Sequence, residues 1–145
     1  MVMEKEKESI VNYINSIEPV LRDIAIDLHS HPEIPFQEHR SIEMLTSFLD
    51  RNGLSIEKGL ADLPTSFRAT STHYTGYPTI ALLAEFDALP ELGHACGHNL
   101  IGPASIGAAV AIHQLNFQME GQLQIIGTPA EEGGGGKITL QKNGV

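Results

Sequence analysis

The sequence predicts an α/β fold, a partly parallel sheet flanked by helices, and three observations carry that prediction. Apolar residues recur three and four apart through much of the first third of the chain, as they do on the buried stripe of a helix. Two apolar runs, Thr79–Phe86 and Gln122–Gly127, have the length of strands. Between them lies a stretch rich in Ala, Ile and Gly that is long enough for a helix. Strand, helix and strand in that order form a crossover, which is right-handed with its strands parallel.

The elements follow in chain order. From Glu4 to Leu28 the residues Ile10, Tyr13, Ile14, Ile17, Leu21, Ile24, Ala25 and Leu28 form one helical stripe. Pro19 interrupts it and is expected to kink the helix or mark a restart, because proline lacks the amide hydrogen that a helix interior uses. The segment His31–Pro35, with its two prolines, reads as a loop. A second helix is expected over Glu38–Arg51, with Ile42, Leu45, Phe48 and Leu49 inward and Asn52-Gly53 as its stop. Leu54–Lys58 and Ser66–Thr72 alternate weakly and read as short strands. The run Thr79–Phe86, bounded by Pro78 and Asp87, suits a strand buried on both faces. A closely packed helix is expected over Asn99–Leu115 despite Pro103, then the strand Gln122–Gly127. The glycine run Gly133–Gly136 leads into a short apolar stretch, Lys137–Leu140.

Bulk properties limit the function. A chain of 145 residues is one ordinary domain by length, or a piece of something larger. It carries 9 Lys and Arg against 18 Asp and Glu, a formal charge of −9. That balance repels phosphate backbones and argues against a nucleic-acid partner. No apolar run reaches the length of a membrane span, and the charged start, Met-Val-Met-Glu-Lys-Glu-Lys-Glu, does not read as a signal peptide. The expected compartment is the cytoplasm. The single cysteine agrees, since it allows no internal disulfide. Cys96 is then a buried filler, a reactive thiol or a metal ligand.

Ligands of parallel sheets sit beyond the carboxyl ends of the strands. That rule selects the loop 87–98, with Asp87, His94, Cys96 and His98, and the loop 128–136, with Glu131 and Glu132. Parallel strands end on one edge of the sheet, so the two loops are expected to be neighbours. Thiolate, imidazole and carboxylate are the usual ligands of zinc and similar ions. Adjacent carboxylates suit hydrolysis, one holding metal and the other taking a proton from water. Taken singly, a histidine or cysteine is more often structural, and a glutamate pair is more often a solvated surface. Cys96 as a nucleophile with His94 or His98 as its base is a second chemical reading, one that leaves the glutamate pair without a role.

Four segments in order resemble a known family: Leu28-His-Ser-His-Pro-Glu33, Ala84-Glu-Phe-Asp-Ala-Leu-Pro90, Gly93-His-Ala-Cys-Gly-His-Asn99 and Gly127-Thr-Pro-Ala-Glu-Glu-Gly-Gly-Gly-Gly136. They are similar to the aminoacylase/carboxypeptidase metallopeptidases, peptidase family M-twenty. The likeness is to the branch of p-aminobenzoyl-glutamate hydrolase, β-alanyl dipeptidases, hippurate hydrolases and auxin-conjugate amidohydrolases, and it runs from about Leu21 to the last residue. Glu85 and Asn99, where many relatives have Asp, tilt it toward the dipeptidase and aminobenzoyl-glutamate side.

The resemblance implies a two-metal site for Zn²⁺ or Mn²⁺. Cys96 would be the bridging ligand, His98 a ligand to one metal, Glu132 a ligand to the other, and Glu131 the general base. Asp87 would orient a ligating histidine. His94, His29 and His31 fall outside the metal set. Residues 1–145 would be the first half of the metallopeptidase catalytic domain, without the lid and dimerisation domain or the later part of the catalytic domain. The implied activity is amide hydrolysis in an N-acyl amino acid or small dipeptide, and the chain by itself is expected to be inactive and prone to associate as a homo-oligomer. Two other readings stand beside it: an inactive metal-binding or interaction module, and a fragment complemented by a second chain that supplies the C-terminal half.

Overall fold

The computed structural model describes residues 2–117 and 120–145. Among the described residues four helices and four strands occur in the order α1 (Val2–Ser30), α2 (His39–Arg51), β1 (Ser55–Lys58), β2 (Phe67–Thr70), β3 (Thr79–Ala84), α3 (His98–Leu115), β4 (Gln122–Gly127) and α4 (Gly136–Lys142), with a short 3-10 turn at Leu60–Asp62. The sheet order is β1-β2-β4-β3. The β3–β4 pair is parallel, from Thr79 opposite Gln122 to Ala84 opposite Gly127, while β2 pairs antiparallel with both β1 and β4. The partly parallel α/β sheet is therefore present, with the crossover where strand–helix–strand order put it.

The predicted stripes face inward. In α1 Ile24, Ala25 and Leu28 are buried, while Ile10, Tyr13, Ile14, Ile17 and Leu21 are half-buried; in α2 Ile42, Leu45, Phe48 and Leu49 are buried. They meet Ile106, Ala109 and Val110 of α3 and Phe67, Ala69, Ala84, Phe86 and Ile125 from the sheet in one core. Fully burying a side chain such as Leu45 or Leu49 contributes about 1.5–3 kcal/mol each. The α1 helix lies mainly against α3, and α3 in turn covers β3 and β4. A smaller cluster of Leu60, Ile126 and Leu140 joins α4 to the 3-10 turn. Among the described residues no helix is long and apolar enough to cross a membrane.

Of the two outcomes expected at Pro19, a kink or a restart, the restart does not occur: α1 runs on as a single element. Pro19 is exposed, so water can hydrogen-bond the carbonyl that its missing amide leaves free. The strand β3 is not buried on both faces: it lies at the end of the sheet, with Ile80 55% and Leu83 46% exposed. Thr79, Ala81 and Leu83 instead line an open cavity of about 420 Å³ with Ile126, Thr128, Lys137 and Leu140. An uninterrupted apolar run records that a strand is fit for two covered faces, not that this chain covers both.

Candidate metal centre

The parallel register places the ends of β3 and β4 side by side. Thr128 N–H donates to the Ala84 carbonyl at 2.8 Å, which starts the second loop beside the first. The two loops are then tied by Asp87, whose Oδ2 accepts the Glu132 N–H at 3.0 Å. In the first loop Leu89 and Gly93 exchange backbone hydrogen bonds of 2.9 and 3.0 Å, folding the chain back toward α3. Gly97 adopts φ +87°, a left-handed conformation that favours glycine, and His98 follows as the first residue of α3.

His98 is the centre of the arrangement. Its ring is buried, and Nδ1 lies 3.0 Å from both the Asp87 carbonyl and Asp87 Oδ1. Both acceptors suit an N–H at Nδ1, the tautomer that presents Nε2 as the ligating atom. Nε2 faces Glu85 Oε2 at 3.3 Å, Glu132 Oε1 at 3.7 Å and Glu131 Oε2 at 3.8 Å. Ligand atoms of His98, Glu131 and Glu132 lie within 4.8 Å of one another. Three carboxylates converging on one small volume repel one another, and a cation among them relieves that repulsion. One nitrogen and several carboxylate oxygens are also the donor types of zinc and manganese sites, so the residues fit a divalent ion.

Cys96 is exposed and lies outside that tight group. Its thiol is pushed up, first by hydrogen bonding to Glu132, then by desolvation and by the charges of Glu132, Glu131 and Asp87. His94 stays apart, its pKa lowered by burial and then by the charges of His98 and His29. His29 and His31 are exposed, and His31 Nδ1 lies 3.0 Å from the Asp27 carbonyl in the last turn of α1.

Two members of the cluster escaped the sequence reading. Glu85 entered it only as a departure from relatives, yet its carboxylate lies nearest His98 Nε2. A signal existed: in extended chain, residues 85 and 87 share a face, so a role for Asp87 beside His98 brings Glu85 along. Lys137 donates a hydrogen bond to Glu85 and stands 3.7 Å from Glu131 Oε1. Desolvation lowers the Lys137 pKa, but the Glu85 hydrogen bond and the charges of Glu85 and Glu131 outweigh it and the net shift is upward. No pattern in the sequence announced Lys137, which follows the glycine run by one position.

No protein-family model matches the chain. It is 36% identical to one of the subunits of p-aminobenzoyl-glutamate hydrolase from Escherichia coli, over 85% of this chain and 29% of that protein. It is 39% identical to the human Xaa-Arg dipeptidase, over 79% of this chain and 30% of the relative. Among solved structures, a dinuclear metal-binding peptidase of Bacillus subtilis superposes with a TM-score of 0.80 at 28% identity, covering 90% of this chain and 40% of that one. The chain thus spans about a third of the length of the relatives it matches.

Proposed function

The chain is a relative of the aminoacylase/carboxypeptidase-type metallopeptidases, peptidase family M-twenty, and from that premise we propose that it carries part of the metal site of an amidohydrolase acting on N-acyl amino acids or small dipeptides. The observation that carries the proposal is His98, with Nδ1 fixed by Asp87 and Nε2 directed at the carboxylates of the second loop. His98, Glu132 and Cys96 would hold Zn²⁺ or Mn²⁺. A bound ion of this kind supplies a Lewis acid for the amide carbonyl and lowers the pKa of the attacking water.

The remaining steps belong to the chain's own residues. Glu131 has its side chain 37% exposed, which leaves it accessible to water and to a substrate. It takes a proton from the water as the oxygen–carbon bond forms, and it returns that proton to the amine as the carbon–nitrogen bond breaks. Lys137, beside Glu85 and Glu131, offsets part of the negative charge that gathers there. The residues at hand supply a base and part of a metal shell. Walls for substrate and further ligands are proposed to come from a polypeptide equivalent to the rest of the relatives' length.

The alternative of Cys96 as a nucleophile is disfavoured by its surroundings. A nucleophilic thiol needs a neighbour that stabilises the thiolate, and Cys96 has carboxylates around it that do the opposite. The test is an amidase assay with N-acyl amino acids and dipeptides, run on the chain alone and with the complementing polypeptide. Turnover is expected only in the second case. Glu131→Gln should leave metal content unchanged and lower the rate on the order of a hundredfold or more. Full turnover by that variant would remove Glu131 from the mechanism.

A further inference from the structure

The segment 31–38, which joins α1 to α2, lies against both loops of the site. The Glu33 carbonyl accepts the Ala88 N–H at 2.8 Å, one residue past Asp87. The Glu33 carboxylate accepts Arg40 N–H at 2.9 Å, Ser41 N–H at 2.8 Å and the Ser41 hydroxyl at 2.7 Å, which anchors the segment to the first turn of α2. Phe36, at φ +64°, sets its ring against the glycine run so closely that a Cβ on Gly134 would collide with it. Glu38 reaches farthest. Its residue is wholly buried, and Oε1 accepts the Ala130 N–H at 2.9 Å across a sequence separation of 92.

Ala130 immediately precedes the Glu131-Glu132 pair. It is fully buried and sits at φ +55°, a left-handed conformation that residues with a Cβ rarely adopt. Such a conformation persists only where the surroundings hold it. The Ala130 carbonyl is engaged from within the loop, by Gly134 N–H at 3.1 Å and Gly136 N–H at 3.4 Å, while its own N–H goes to Glu38. The other Glu38 oxygen, Oε2, is buried with no hydrogen-bond partner.

We infer that Glu38 is a positioning residue: by holding the Ala130 amide it fixes the turn that aims Glu131 and Glu132 at His98. The inference rests on the metal-site reading above, and it does not make Glu38 a catalytic residue, since Glu38 acts through the backbone of Ala130.

The test compares Glu38→Gln, which keeps a carbonyl acceptor for the Ala130 N–H, with Glu38→Leu, which keeps bulk and loses the acceptor. Phe48→Leu, in the α2 core, serves as a control for general loss of stability. Hydrogen exchange of the metal-free chain is read on the peptide 128–136, and Co²⁺ is titrated into each protein, with the thiolate-to-cobalt absorption as the signal. Glu38→Leu should speed exchange in 128–136 by about tenfold beyond the control and weaken Co²⁺ by a similar factor, whereas Glu38→Gln should stay within about threefold of the parent. If Glu38→Leu does not fold, Glu38→Asp, which withdraws the carboxylate by one methylene, should show the same loop-restricted acceleration. Exchange in 128–136 that matches the control, or a Gln variant that falls as far as Leu, would overturn the role of Glu38. A parent chain that binds no Co²⁺ while the exchange pattern holds would instead sink the metal-site reading and leave Glu38 as the brace of the loop.

Discussion

Asp87→Asn is the most direct test of the centre. The buried Asp87 carboxylate accepts two hydrogen bonds, from His98 Nδ1–H through Oδ1 at 3.0 Å and from Glu132 N–H through Oδ2 at 3.0 Å. An asparagine has the same shape but a single acceptor oxygen, so its amide group must face one of those two donors. One hydrogen bond to a charged group is therefore lost, about 1.5–3 kcal/mol. For a chain of this size that corresponds to a fall in melting temperature of roughly 5–10 °C. The loss should also reach the metal, because either His98 or the Glu132 backbone loses the contact that aims it. Groups that orient metal ligands in this way are worth about ten- to hundredfold in affinity. The assay is competition for Zn²⁺ against a chromophoric chelator, read beside thermal unfolding of the metal-free protein. An Asp87→Asn protein that binds Zn²⁺ as the parent does, even with a lowered melting temperature, would refute the claim that Asp87 aims His98 and Glu132 at an ion.

Two further outcomes are expected. The Cys96 thiol is pushed up in the metal-free chain, so it carries its proton at neutral pH and must release it to bind metal. Zn²⁺ affinity should therefore rise about tenfold per pH unit from neutral pH up to the raised thiol pKa, with proton uptake by buffer seen in calorimetry, and Cys96→Ser should abolish both the slope and most of the binding. An unchanged affinity in Cys96→Ser would take Cys96 off the ligand set. The exposed β3 edge, with Leu83 on the open cavity, should make the chain associate at micromolar concentration. Leu83→Lys should shift light scattering toward the monomer while changing stability by no more than about 0.5 kcal/mol. A parent that is already monomeric would contradict this.

Much of the fold was legible in the residues because it depends on local periodicity. The stripes of α1 and α2 predicted the buried faces, since a side chain's direction on a helix is set by its position in the turn. The two-strand crossover was legible for a similar reason: an apolar strand, a helix and a second apolar strand have one favoured handed connection. That connection was enough to bring His98 together with Glu131 and Glu132, residues more than thirty positions apart.

Other features depend on which surfaces meet, and no local pattern holds that information. The apolar run of β3 could not say whether both its faces are covered, because hydrophobicity records what a strand could bury, and the sheet order decides what it does bury. The same limit hid Lys137, which enters the carboxylate cluster only because α4 begins beside the ends of β3 and β4. It hid Glu38 more completely. A glutamate at the start of a helix looks like an ordinary solvated residue, and only the packing of segment 31–38 against the second loop turns it into the buried partner of Ala130. Residue type and spacing were enough for the helices and the crossover, because each of these is a local property of the chain. Which carboxylates converge on His98, and what holds them there, came from packing, because hydrogen bonds across 45 and 92 residues form only once the elements have met.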